Sequence, residues 1–115
     1  MDAFDEKALM DEIDDDIDFL EETLAMFDED TPALLEEIRS AAAAGDAAAL
    51  VKPAHALKGL LGNFCAGPAV NSARELEVMG REGRLEDAEA ALEKLLSETR
   101  RLGEALHRFL KAKTK

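Results

Sequence analysis

Ala54-His55-Ala56-Leu57-Lys58-Gly59-Leu60-Leu61-Gly62-Asn63-Phe64 is the stretch that decides how this chain folds. Steps of ~100° per residue along a helix place His55, Lys58, Gly59 and Gly62 in one stripe. Leu50, Ala54, Leu57, Leu61 and Phe64 fall on the opposite side. Such a helix buries its leucines and shows water an imidazole, an ammonium and two patches of bare backbone. All 26 Asp and Glu residues lie outside positions 47–74, a window that instead carries Lys52, Lys58, Arg74 and one of the two histidines. A surface imidazole bordered by glycines invites another macromolecule to approach closely.

Outward from that helix, the composition narrows the class. At 115 residues the chain is long enough for one modest core. Ala, Leu, Glu, Asp, Lys and Arg dominate, Trp and Tyr are absent, and aromatics make up 4%. Strong helix formers with few β-branched residues point to an all-α protein. A formal net charge of −12 argues against nucleic acid or an anionic membrane surface as partners, since both need basic patches. No apolar run approaches the ~20 residues of a membrane span. Met1-Asp2-Ala3-Phe4-Asp5-Glu6 lacks the basic start and apolar segment of a secretion signal. Cys65 is alone, which excludes an internal disulfide and a cysteine zinc cluster. The expectation is a cytoplasmic, monomeric domain spanning residues 1–115.

The helices can be read from their spacing. A short one is expected near residues 5–12. Asp14, Asp15 and Asp16 suit a helix N-terminus, and Ile17, Leu20, Leu24 and Phe27 continue as one amphipathic face. Phe19 and Met26 add a second apolar stripe beside it. Thr31-Pro32 predicts a kink or a fresh start, because proline removes an amide donor; Leu34, Leu35 and Ile38 then resume the pattern. Gly45-Asp46 reads as a stop and an N-cap. The histidine helix is expected from Ala47 to Phe64, with Pro53 making an irregular turn or a kink. Gly67-Pro68 opens the next helix, with Ala69, Ala73, Leu76 and Met79 as its stripe, ending at Gly80 to Gly83. The longest helix is expected from Leu85 to Lys111. Long helices joined by short turns suggest an antiparallel up-down four-helix bundle with a short extra N-terminal helix.

The chemistry follows from what surrounds His55. Nucleophilic hydrolysis would need a Ser or Cys beside it and an orienting carboxylate; neither stands near His55 in the chain, and Cys65 lies ten residues on, near the opposite-face end of the helix. Glu104-Ala105-Leu106-His107 has the spacing used in di-iron bundles, but a second such pair is missing; His107 reads as a surface or boundary residue. What remains is histidine as a covalent carrier: an imidazole nitrogen can attack a phosphoryl group delivered in line by a partner. Lys58, one turn away, would face the phosphoryl oxygens, and Gly59 and Gly62 would leave room. Two glycines cost a helix roughly 0.5–1 kcal/mol each, so their clustering on this stripe argues against chance.

These residues resemble a known family. His55-Ala56-Leu57-Lys58-Gly59, followed by Gly62-Asn63-Phe64 and Ala66, looks like the signature of histidine phosphotransfer (HPt) domains of multistep phosphorelays. The likeness extends through Ala73-Arg74-Glu75-Leu76-Glu77 and the Gly80/Gly83 turn, covering about residues 10–110. The resemblance implies that His55 is the phosphoacceptor, Lys58 the phosphoryl-stabilising cation and Gly59 the clearance for the partner. It implies receiver domains of response regulators or hybrid histidine kinases as partners, with Mg²⁺ on the receiver and no cofactor bound here. Val51, Lys52, Gly59, Gly62, Asn63 and Ala66 are the expected partner-contact residues. Leu60 and Leu61 depart from the small residues common in the family, and Cys65 stands where Gly is usual. The chain has no room for a nucleotide-binding domain, so it should not phosphorylate itself. The alternatives are the phosphoacceptor domain of a chemotaxis-type histidine kinase and a non-catalytic helical adaptor.

Overall fold

The computed structural model describes residues 2–114. Five helices follow one another: α1 (Glu6–Glu12), α2 (Ile17–Ala43), α3 (Ala47–Gly62), α4 (Gly67–Glu82) and α5 (Ala88–Lys113). Asp5, Asp16 and Asp46 cap α1, α2 and α3, each carboxylate accepting a backbone N–H three residues on at 3.0 Å. Asp14 and Asp15 precede the α2 cap with φ of 53° and 58°, a left-handed conformation that aspartate tolerates better than most residues. Of the expected acidic run, then, Asp16 alone caps the helix, and its neighbours form the turn from α1.

Pro32 does not start a new helix. α2 runs unbroken for 27 residues past it, because Leu24, Phe27, Thr31 and Ile38 on either side are all buried in the same core. Packing there outweighs one missing backbone bond. Pro53 likewise lies inside α3, where it is buried. α3 ends two residues before Phe64, and α5 starts three residues after Leu85 and extends two beyond Lys111. Such shifts at helix ends are ordinary fraying and capping differences.

α2 packs on α3, α3 on α4, α4 on α5, and α5 back on α2, closing a ring of four helices. The leucine side of the histidine helix lies at its centre: Leu50, Ala54, Leu57, Leu61 and Phe64 are all fully buried. Phe27 of α2 meets Phe64 edge-to-face at 5.6 Å. α1 adds Leu9 to the core, and the Asp5 N–H donates to the Cys65 carbonyl at 3.1 Å. Phe4 packs edge-to-face on Phe109 of α5. Leu96 of α5 is 40% exposed, although its neighbours Leu92 and Leu95 are buried. The molecule measures 46 × 25 × 19 Å, and among the described residues no helix is long and apolar enough to cross a membrane.

Candidate functional site

The expected stripe stands on the outer face of α3. The His55 side chain is 62% exposed, and Gly59 and Gly62 are exposed, with open space where a Cβ would sit. Lys52, Ala48 and Asn63 are also exposed, and Val51 is half-buried. Ala66 departs from expectation: it is 1% exposed and belongs to the core, because the turn after α3 folds it inward as the N-cap residue of α4. It offers no surface to a partner.

His55 does not stand free of carboxylates. Glu77 of α4, 22 residues away, has its side chain 5% exposed and reaches the stripe from the neighbouring helix. Its Oε2 lies 2.9 Å from His55 Nδ1 and 2.7 Å from Arg81 Nη2. Its Oε1 lies 2.7 Å from Lys58 Nζ, in the approach of an ion pair rather than of an aligned hydrogen bond. The Lys58 ammonium, then Arg81, then the His55 contact hold the Glu77 carboxyl down at about 2, against the opposing effect of burial. At neutral pH it is a carboxylate and can only accept. The proton in the His55 contact therefore sits on Nδ1, and Nε2 points away from Glu77.

Gly80 is what lets α4 come this close. A Cβ there would lie 2.9 Å from the Ala47 carbonyl oxygen and 2.9 Å from Val51 Cγ2 of α3. One turn earlier on the same face stands Glu77. Three residues that build the site were thus missed from sequence: Glu77, Gly80 and Arg81. A signal was present, since Ala69, Ala73, Leu76, Glu77 and Gly80 share the helical face of an apolar stripe, and a glutamate within such a stripe needs a partner. Glu77 and Arg81 also have the i, i+4 spacing of an ion pair. Counting Glu77, Lys58 and Arg81, the fixed charge beside the imidazole is −1 + 2 = +1, on a chain of net charge −12.

The second histidine takes no part. His107 of α5 places Nε2 3.0 and 2.8 Å from the two Asp28 oxygens of α2. Its Glu104 neighbour joins no metal-binding set, and among the described residues no group of three or more His, Cys, Asp or Glu is placed to hold a metal ion. Phe19 and Met26 are 48% and 54% exposed, so that second apolar stripe of α2 is not covered by another helix. Cys65 adopts φ 53°, the left-handed turn conformation that glycine takes without strain; burial pushes its thiol pKa up, which makes it a poor nucleophile.

Comparison with curated proteins and with solved structures gives no match. The family model for the Hpt domain matches residues 22–111, most of the chain and all of α3 and α4. The chain belongs to the Hpt domain family.

Proposed function

We propose that this domain is a phosphorelay intermediate that accepts a phosphoryl group on His55 and passes it on. Hpt domains serve histidine phosphotransfer in phosphorelay signalling. The observation that carries the assignment to His55 is its fixed imidazole: Nδ1–H is held by an ionised carboxylate while the ring stays exposed. Nε2 then presents a lone pair to solvent and to any docked partner. In transfer from an aspartyl phosphate, Nε2 bonds to phosphorus as the P–O bond to aspartate breaks, and that electron pair leaves on the aspartate carboxylate. The ring gains positive charge, with its proton retained on Nδ1, and Glu77 stabilises that charge through the same hydrogen bond. Lys58 and Arg81 face the phosphoryl oxygens with positive charge.

Receiver domains are the partners this chemistry requires, and the Mg²⁺ it needs belongs to the receiver's acidic pocket. The domain acts as a carrier rather than a kinase. Gly59, Gly62, Lys52, Asn63 and the edge of Val51 form the docking rim, around the side chain that reacts. The short connections at residues 44–46, 63–66 and 83–87 support an antiparallel up-down course for α2 to α5. The test is incubation with phosphorylated receiver domains followed by mass analysis: acid-labile, base-stable phosphate is expected on His55. The same phosphate on His107 alone would overturn the assignment.

A further inference from the structure

We propose that the seam between α2 and α5 docks a basic amphipathic helix of a partner protein. The ring of helix contacts puts this seam on the edge of the bundle across from the α3/α4 edge that carries His55. Two grooves run along it and meet at Leu96, which both share. The first, about 760 Å³, is floored by Phe27, Pro32, Leu35 and Leu96. The second, about 530 Å³, is floored by Ala42, Leu85, Ala88 and Leu92. From Ala88 to His107 the two cover 20 residues of α5, which at the helical rise is roughly 30 Å. A long, shallow apolar trough of this length fits a rod of leucines at i, i+3, i+4 and i+7, not a compact ligand.

The charges on its rim set the sign of the occupant. Asp28 and Glu104 edge the first groove, and Glu86, Glu89 and Glu93 edge the second. Arg100 and Arg39 are the opposing cations, so the carboxylates and guanidiniums sum to −5 + 2 = −3, with Asp28 in contact with His107. Lysine and arginine, which carry positive charge and only donors, match carboxylates that can only accept. An anionic membrane or nucleic acid would be repelled. A second copy would bring the same acidic rim and a further −12.

Two synthetic peptides of about 20 residues, long enough to span the trough, test this. Both contain the same leucines, lysines and alanines; one places the leucines in a single helical stripe and the other permutes them. The striped peptide is expected to bind roughly tenfold tighter or better in calorimetry, since both carry equal charge and only one presents an apolar face. Amide shifts should concentrate on α2 and α5. Leu96→Glu, at an exposed position, should weaken binding by about tenfold, and the double reversal Glu89→Lys/Glu93→Lys should weaken it as well. Both variants should accept phosphoryl groups as the parent does. Equal binding of the two peptides, shifts confined to α3 and α4, or affinity unmoved by Leu96→Glu would overturn the proposal. Self-association of the free chain that Leu96→Glu abolishes would also overturn it, by assigning the seam to a second copy.

Discussion

Glu77 holds a histidine, a lysine and an arginine on two oxygens, and substitutions separate its roles. A hydrogen bond to a charged group is worth ~1.5–3 kcal/mol, so Glu77→Ala should slow receiver-to-domain transfer roughly ten- to hundredfold while His55 remains the modified residue. Glu77→Gln keeps an acceptor for Nδ1–H but loses the charge, and should fall between the parent and Glu77→Ala in single-turnover rate. His55→Gln should abolish phosphorylation and leave the circular dichroism spectrum unchanged, since the side chain is exposed and its partner Glu77 stays paired with Lys58 and Arg81. Lys58→Ala should slow transfer without abolishing it, and Lys58→Arg should keep part of the rate. Cys65 gives a different kind of test. Its left-handed backbone costs an L-residue roughly 1 kcal/mol or more. Cys65→Gly should therefore raise the unfolding free energy by about 1 kcal/mol in urea titration. A loss of stability would mean that the half-buried thiol packs better than its strain costs.

At the scale of the helix, two glycines with the same propensity should respond in opposite ways. Gly59 lies on the outer face of α3 with nothing where its Cβ would be, so Gly59→Ala should stabilise the fold by about 0.5–1 kcal/mol. Gly80 sits against the α3 backbone, and a Cβ there meets a carbonyl oxygen that cannot move aside cheaply. Gly80→Ala should destabilise by roughly 1–3 kcal/mol, as overpacking does, and should also disturb the His55–Glu77 distance of 2.9 Å. Thermal melts of both variants, with the His55 ring followed by NMR, check the contrast. Gly59→Leu belongs to function instead: transfer as fast as the parent's would mean that no partner approaches along this stripe.

For the whole molecule, the pH dependence of stability carries the signature of the site. The folded Glu77 carboxyl titrates at about 2 against 4.5 for the free group. Its contribution is therefore fully present above pH 4.5 and is lost as pH falls towards 2, because the unfolded chain binds the proton first. Urea unfolding across that window should show stability falling with acid in the parent, and Glu77→Gln should flatten part of that fall. An identical acid profile in the variant would mean that the ion pairs do not hold the carboxylate as the geometry implies. The same scale explains a mismatch of charge. The chain is strongly acidic, yet the fixed charge beside His55 is positive, which on the proposed reading favours an incoming phosphoryl group while the molecule as a whole repels an acidic partner.

Much of this was written in the sequence, wherever the information is local. The 3.6-residue periodicity of Leu50, Ala54, Leu57 and Leu61 fixed which face of α3 is buried, and His55, Lys58, Gly59 and Gly62 had to take the other. Asp16 and Asp46 marked helix starts because a short carboxylate beside free amides caps wherever it occurs. What local pattern could not hold is which helix lies against which. The window around His55 is free of acid along the chain, but α4 packs on α3 and brings Glu77 across 22 positions. Whether Pro32 breaks α2 was also undecidable locally, since the buried residues on either side of it gain their partners only in the assembled ring. The sequence determined the helices and the exposed imidazole. The tertiary structure alone decided that a carboxylate orients the ring, because that contact exists only when a glycine on α4 lets two backbones meet.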